Sequence, residues 1–212
     1  MDDPAVSVAV SSPEIVVLIP ESTRKRRGGS SNAKPTDAIA DALPDSARET
    51  LRALRDEVLA KSPQGTVAAG DLLPAFERFD GNMYRYIPAE SWERRSPAVE
   101  VVIASALRGL VASRDPIPSY HLSMAEPTPP FGKLNRWWHD RALPGILGAY
   151  LESVRPKKVV DLLSLEYRES VIGYAANLRG IDVKPIDFPG MGRASQPRRG
   201  EKIGEILLTG TA

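Results

Sequence analysis

Four adjacent cations, Arg24-Lys25-Arg26-Arg27, stand directly before Gly28-Gly29. Guanidinium and ammonium groups concentrated in a glycine-containing loop suit phosphate, because each contact displaces a condensed counterion from a polyanion. The bland alternative is a solvated basic loop that serves solubility. The stretch lacks the G-x-x-x-x-G-K-[ST] spacing of a phosphate-cradling P-loop. A second basic group, Arg193, Arg198, Arg199 and Lys202, lies in or beside another Gly/Pro-rich stretch. If the two stretches meet, they form a cationic cleft in a chain whose net charge is only +1. The candidate nucleic-acid contacts are then Arg24, Lys25, Arg26, Arg27, Arg108, Arg193, Arg198 and Arg199.

Acid–base chemistry has fewer candidates. The chain has two histidines, His121 and His139, and each can exchange a proton near neutral pH or serve as a packed or surface side chain. Neither H-x-x-x-H nor H-E-x-x-H spacing occurs, so no metal is expected, and no cofactor is expected either. The absence of cysteine excludes thiolate nucleophiles, disulfides and Cys-based metal sites. Asp161, Ser164, Glu166 and Tyr167 gather at the end of an apolar run, where polar groups of α/β proteins collect. Ser164 also reads as a helix cap, with Glu166 favouring the positive end of that helix. Asp161, set inside an apolar strand, needs a partner. No G-x-S-x-G elbow supports a serine triad. Trp137-Trp138 on a helix cannot both face the core. One packs inside; the other is left to stack on a base, cover a ligand or meet a partner.

Such groups need a scaffold that presents them at strand ends. Ile15 to Ile19 is a continuous, β-branched apolar run and predicts a buried strand ended by Pro20. Val99–Ala104 and Val159–Leu163 predict two more strands, and Ile181–Phe188 a fourth, weakened by Pro185. Ser46 and Glu49 have capping-box spacing ahead of Leu51, Leu54, Val58 and Leu59 on one helical face. Asp71 opens a helix through Phe76, and Phe79–Tyr84 reads as a turn entering another. Leu134–Val154 predicts a helix interrupted at Pro144-Gly145. Glu166–Leu178 predicts a helix, and Glu201–Leu208 a terminal helix or strand. Ser105–Leu110 has the look of a hairpin, of the kind in which helix-hairpin-helix elements bring backbone N–H groups to phosphate. Residues 113–130, with five prolines, and 189–200 predict irregular loops. Strands separated by helical stretches imply a mixed α/β fold: a flexible N-terminus over 1–13, then one α/β domain with surrounding helices over 14–212.

Composition agrees with that scale. A chain of 212 residues, 42% hydrophobic and 26% charged, can bury a sizeable core. No apolar run approaches the roughly 20 residues that span a bilayer, so no membrane contact is expected. Met1-Asp2-Asp3-Pro4 lacks a basic-then-apolar leader pattern, and together with the absence of cysteine this fits the cytoplasm. Oligomeric state stays open.

Taken in order and spacing, several short segments resemble the YaaA peroxide-stress family. Pro20, Ser22, Lys25, Gly28 and Gly29 match its opening motif after the first strand, while Glu21, Thr23 and Arg24 differ. Phe79, Gly81 and Tyr84 match its Phe-x-Gly-x-x-Tyr. Ser105, Leu107, Gly109 and Leu110 match the next motif, with Arg108 in place of an aromatic. Asp115, Ile117, Tyr120 and Leu122 match another, with His121 in place of arginine. Trp138, and then Asp161, Ser164, Glu166 and Tyr167, complete the series. The family's C-terminal His-Phe-Asn-Lys block is absent; Asp187-Phe188 approaches it, and Arg199-Gly200 echoes a Lys-Gly element. The resemblance implies a single α/β domain with a helix-hairpin-helix-like element, a cationic cleft, and DNA binding linked to peroxide stress. Besides DNA, a small anionic ligand is a candidate partner. The alternative is a diverged enzyme acting on a small molecule in a biosynthetic pathway, using the same cleft. Lys25, His121, Asp161 and Tyr167 would be its catalytic groups, and Ser22, Tyr84, Tyr120, Trp138, Ser164 and Glu166 would line the pocket. A third reading is an inert partner protein using the exposed tryptophan. Lys25, Tyr120 and Asp161 are expected to converge on one pocket.

Overall fold

A computed structural model describes residues 12–62 and 71–212; most of the expected flexible N-terminus lies outside the described residues. The fold is α/β, a mixed five-stranded sheet surrounded by helices. Its strands are β1 (Ile15–Pro20), β2 (Val99–Ser105), β3 (Gly109–Ala112), β4 (Lys158–Asp161) and β5 (Asp182–Pro185), in the order β3-β2-β1-β4-β5. All six residues of β1 are buried. Successive strand side chains point to opposite faces, so six buried in a row means both faces are covered there, as parallel sheets require. β1 runs parallel to β2, with Ile15 opposite Val99, and parallel to β4, with Ile15 opposite Lys158. β5 extends the parallel part, and β3 closes the other edge antiparallel.

Ser105–Leu110 is therefore the turn of the β2–β3 hairpin, and strands rather than helices flank it. The apolar run resumes at Leu110-Val111-Ala112 and pairs at once with the strand it left. Gly109 (φ 69°) makes that reversal possible.

The helices are α1 (Ala38–Ala42), α2 (Asp45–Lys61), α3 (Ala75–Arg78), α4 (Asn82–Arg85), α5 (Ala89–Glu93), α6 (Leu134–Asp140), α7 (Leu143–Val154), α8 (Leu165–Glu169) and α9 (Ser195–Thr209). They form two packed groups, α1, α2, α6 and α7, and α4, α5 and α9. α2 starts on Pro44 with no side-chain cap. Arg48 closes its entry instead, donating to the Ala40 and Leu43 carbonyls, each at 2.8 Å. The expected break in the long helix falls at Arg141-Ala142, where Ala142 adopts φ 90°. Pro144 sits in the first turn of α7, a position a proline tolerates. α8 is one short helix, because the Ser170 hydroxyl donates to the Tyr167 carbonyl at 2.6 Å and competes with the helical ladder. Residues 71–76 divide between a short strand, Leu73–Pro74, paired with Pro116–Ile117, and α3. α9 begins six residues before the expected Glu201, with Pro197 in its first turn.

The position of α9 depends on contact rather than propensity. A Cβ on Gly200 would come within 2.3 Å of the Met83 carbonyl oxygen in α4. Gly200→Ala is expected to lose about 1–3 kcal/mol of stability in urea unfolding, despite alanine's higher helix propensity, because the two backbones must separate. Gly145→Ala, which meets nothing within 4 Å, is the neutral comparison; equal losses in the two variants would refute the close-packing account.

Candidate functional site

The chain leaves β1 towards β2 on one side and returns on the other side as β4. In open α/β sheets, the crevice beyond the strand carboxyl ends at such a switch point is where ligands sit. A cleft of about 370 Å³ opens there. It is lined by the exit of β1 (Pro20, Glu21, Ser22, Thr23, Arg24), by Gly81–Tyr84, by Ser123 of the proline-rich loop, by Ser164 and Tyr167 beyond β4, and by Gln196 and Arg199 of α9.

A buried polar cluster lies at the base of this cleft. The Glu21 and Lys25 side chains are 0% and 2% exposed, with Lys25 Nζ 4.0 Å from Glu21 Oε2. Glu21 Oε1 accepts from the Ala106 N–H at 3.0 Å. Its other oxygen accepts a short hydrogen bond from the Tyr120 hydroxyl, which lies 2.7 Å from Ser105 Oγ. Lys25 Nζ donates to the Ser22 carbonyl at 2.9 Å and sits 3.9 Å from the centre of the Tyr120 ring. Burial raises the Glu21 pKa above its ordinary value, against the opposing pull of Lys25 and of the Tyr120, Ala106 and Ser105 donors. Burial likewise lowers Lys25, with Glu21 opposing the shift and the Arg78 guanidinium adding to it. Tyr84, Tyr120 and Tyr167 are pushed well above the ordinary phenol value, first by burial and then by the Glu21 charge. All three are therefore neutral phenols, Tyr84 and Tyr167 in the cleft wall and Tyr120 beneath it.

The structure brings together some of the candidate residues and separates others. Ser22, Arg24, Tyr84, Ser164, Tyr167 and Arg199 line the cleft. Tyr84 donates to the Pro20 carbonyl at 2.9 Å, which fixes the end of β1. Ser164 occupies the start of α8 without making a capping bond, so its hydroxyl is left to the cleft. Lys25 and Tyr120 meet each other beneath the cleft. Asp161 is also at the strand ends but is taken up by Arg168 at 2.9 Å and by the Leu163 N–H at 2.9 Å. His121 is exposed in an adjoining groove of about 280 Å³ that shares Thr23 and Ser123 with the cleft. Arg26, Arg27, Arg193 and Arg198 are exposed. Arg24 pairs with Asp80 at 3.3 Å, and Arg198 with Glu201 at 3.1 Å. Arg108 lies 3.7 Å from Asp37, away from the cleft. Glu166 is exposed on α8. Trp138 is fully buried and donates to the Ala106 carbonyl at 2.9 Å, while Trp137 is half-buried against Phe131 with the Arg141 guanidinium over its ring. His139 stays at the surface, 3.2 Å from Asp140.

Glu21 was missed by motif reasoning because it breaks the family pattern at that position. The available signal was its spacing, four residues before Lys25 and directly after a strand-ending proline. Among the described residues, no group of three or more His, Cys, Asp or Glu side chains is placed to hold a metal, and no helix is long and apolar enough to cross a membrane.

A family model described as peroxide stress protein YaaA matches residues 22–188. That is well over half of the chain, which belongs to this family. No curated protein matches it. Glu21 falls just before the matched region, and Gln196 and Arg199 lie beyond it.

The buried cluster makes two expectations concrete. Lys25→Met should cost about 3–5 kcal/mol, because it strands a buried carboxylate. It should also move the Glu21 pKa further up, followed by NMR of its side-chain carboxyl. Tyr120→Phe should cost about 1–3 kcal/mol and shift the pKa the same way. Since the folded state holds this proton more tightly than the unfolded chain, Glu21's contribution to stability is greatest at low pH. It declines as pH rises above the ordinary value of 4.5. A Glu21 carboxyl titrating at or below 4.5 in the native protein would contradict the assignment.

Proposed function

We propose that the protein binds a small anionic molecule in the cleft at the carboxyl ends of β1 and β4, as its part in the peroxide-stress role of its family. The observation that carries this reading is the lining: two arginines, Arg24 and Arg199, with the hydroxyls of Ser22, Thr23, Ser123 and Ser164 and the phenols of Tyr84 and Tyr167, around a space of about 370 Å³. Small-ligand sites have this form, a walled concavity with a few converging polar groups. Of the four candidate catalytic groups, only Tyr167 lines the cleft; Lys25 lies beneath it, Asp161 is engaged by Arg168 and His121 faces the neighbouring groove. The proposal is therefore recognition and assigns no bond-making step.

A second reading, duplex DNA bound across the same edge, is favoured by a separate observation. Arg26, Arg27, Arg193 and Arg198 are exposed on the two segments that flank the cleft. Phosphate contacts release counterions, so affinity through these residues would fall steeply with salt.

One pair of measurements separates the readings. Ligand-observed NMR with pooled phosphorylated and carboxylated metabolites should give hits that the Ser22→Ala, Ser164→Ala double variant weakens. Fluorescence anisotropy with a short DNA duplex, between about 50 and 200 mM salt, reports the other. If DNA is the ligand, changing Arg26, Arg27, Arg193 and Arg198 to alanine should flatten the log–log salt slope by roughly 0.9 per lost phosphate contact. Duplex binding that follows this pattern, with no metabolite hits, would overturn the small-molecule reading.

A further inference from the structure

Arg199 is 6% exposed. Its Nε is buried without a hydrogen-bond partner. Among the described residues, no carboxylate lies within ion-pair distance of its guanidinium. Of the nearby acids, Asp161 and Asp187 are taken by Arg168, at 2.9 Å and 2.7 Å, and Glu166 stays outside ion-pair distance of Arg199. The guanidinium lies 5.3 Å from the centre of the Phe188 ring, so an aromatic side chain supports the group without neutralising it. Burial lowers its pKa, the neighbouring Arg168 charge adds to that shift, and the Asp187, Asp161 and Glu166 carboxylates oppose it. A desolvated cation without a directly paired carboxylate is costly. The helix cannot simply withdraw it to solvent, since Gly200, the next residue, is packed against the Met83 carbonyl.

From this geometry we infer that Arg199 anchors a subsite for one oxyanion of the cleft ligand, a carboxylate or a phosphate. The inference rests on reading the cleft as a small-molecule site and deepens it. The planar guanidinium fork matches either group with two parallel N–H···O bonds. Gln196, one turn earlier on α9, and Ser164 beyond β4 are among the neutral donors that line the same space. An anchor this enclosed admits the terminal group of a small molecule. A phosphodiester inside a duplex would have to bring its neighbouring nucleotides below the protein surface to reach it. The subsite belongs to α9, outside the region matched by the family model.

The test uses the full chain, with inorganic phosphate and succinate as probes. Titration followed by ³¹P line width for phosphate, and by calorimetry for succinate, identifies which oxyanion is preferred. Wild type should bind at least one. Arg199→Gln should lose affinity by about tenfold or more, and Arg199→Lys should retain part of it, having kept the charge without the fork. Arg52→Gln, at an exposed residue of α2 that does not line the cleft, should bind as wild type does. Should Arg199→Gln fail to fold, Arg199→Lys still decides, because unchanged affinity there removes the fork from the account. Binding of neither probe to wild type would overturn the subsite, as would undiminished binding to Arg199→Gln. A metabolite hit that binds Arg199→Gln as tightly as wild type would refute the anchor while leaving the small-molecule reading intact. Duplex binding without any metabolite, phosphate or succinate binding would refute both.

Discussion

A carboxylate taken out of water has to be met by donors on every side, and Glu21 imposes that requirement on the whole end of the sheet. Its partners come from three separate segments: Ala106 from the exit of β2, Tyr120 from the proline-rich loop, and Lys25 from its own loop. Each is far from Glu21 in sequence or reaches it only if the chain after Pro20 folds back. Leaving any one donor out would leave a charge or a phenol unsatisfied in a low-dielectric interior. The cluster therefore fixes loops that carry little secondary structure of their own, and the cleft inherits its shape from them. Lys25, by donating to the Ser22 carbonyl, holds the residue whose hydroxyl lines the cleft.

Other buried guanidinium groups do comparable positioning elsewhere. Arg78 is fully buried and donates to the carbonyls of Ile117, Asp71 and Arg26, tying the short strand Pro116–Ile117 and two irregular stretches to α3. Arg55 reaches the Arg108 and Leu110 carbonyls and Asp37, which joins α2 to the β2–β3 turn. Five planar donors suit this task, since one side chain can satisfy several carbonyls that no strand or helix pairs. The consequence is that many arginines of this nearly neutral chain are structural. Counting cations overstates what is left for an anionic partner: Arg108, grouped with the loop arginines by sequence, belongs to this framework.

The strands were legible because both faces of the sheet are covered, which writes them as apolar runs at Ile15–Ile19, Val99–Ala104 and Val159–Leu163, the first unbroken and the others interrupted by Glu100 and Asp161. Helix limits were less so, since contacts outside each helix decide them. Arg48 does the work assigned to the Ser46 cap, and α9 starts inside a stretch whose Gly, Pro and Arg content reads as loop. That last displacement mattered most for the site. It turns Arg199 from a loop cation into a helical residue with a fixed direction and deep burial. The meeting of Lys25 with Tyr120 could be anticipated from their motifs, whereas the diversion of Asp161 depends on Arg168, seven residues on, whose reach across the strand end no spacing rule reports. Glu21 was hidden for the opposite reason: it departs from a motif, and a departure carries no partner with it.

Charge in this protein is thus organised by competition between arginines for a limited set of carboxylates. Asp80 is shared by Arg24 and Arg85, Glu100 is held by Arg95, and Asp161 and Asp187 both go to Arg168. Arg168 succeeds in that competition because α8 starts directly beyond β4, which puts its guanidinium over the strand end, with Asp161 on one side and the loop after β5 on the other. Arg199 arrives from α9 at the same edge after those acids are occupied. Its position is set by the packing of Gly200 on α4, and Arg168 keeps Asp161 and Asp187 from pairing with it. Two structural constraints, neither involving a ligand, therefore leave one enclosed positive charge facing the cleft. On the proposed reading, a protein with almost no net charge would hold an anion there without a basic surface, because the field at a desolvated group is set by its immediate neighbours rather than by the sum over the chain.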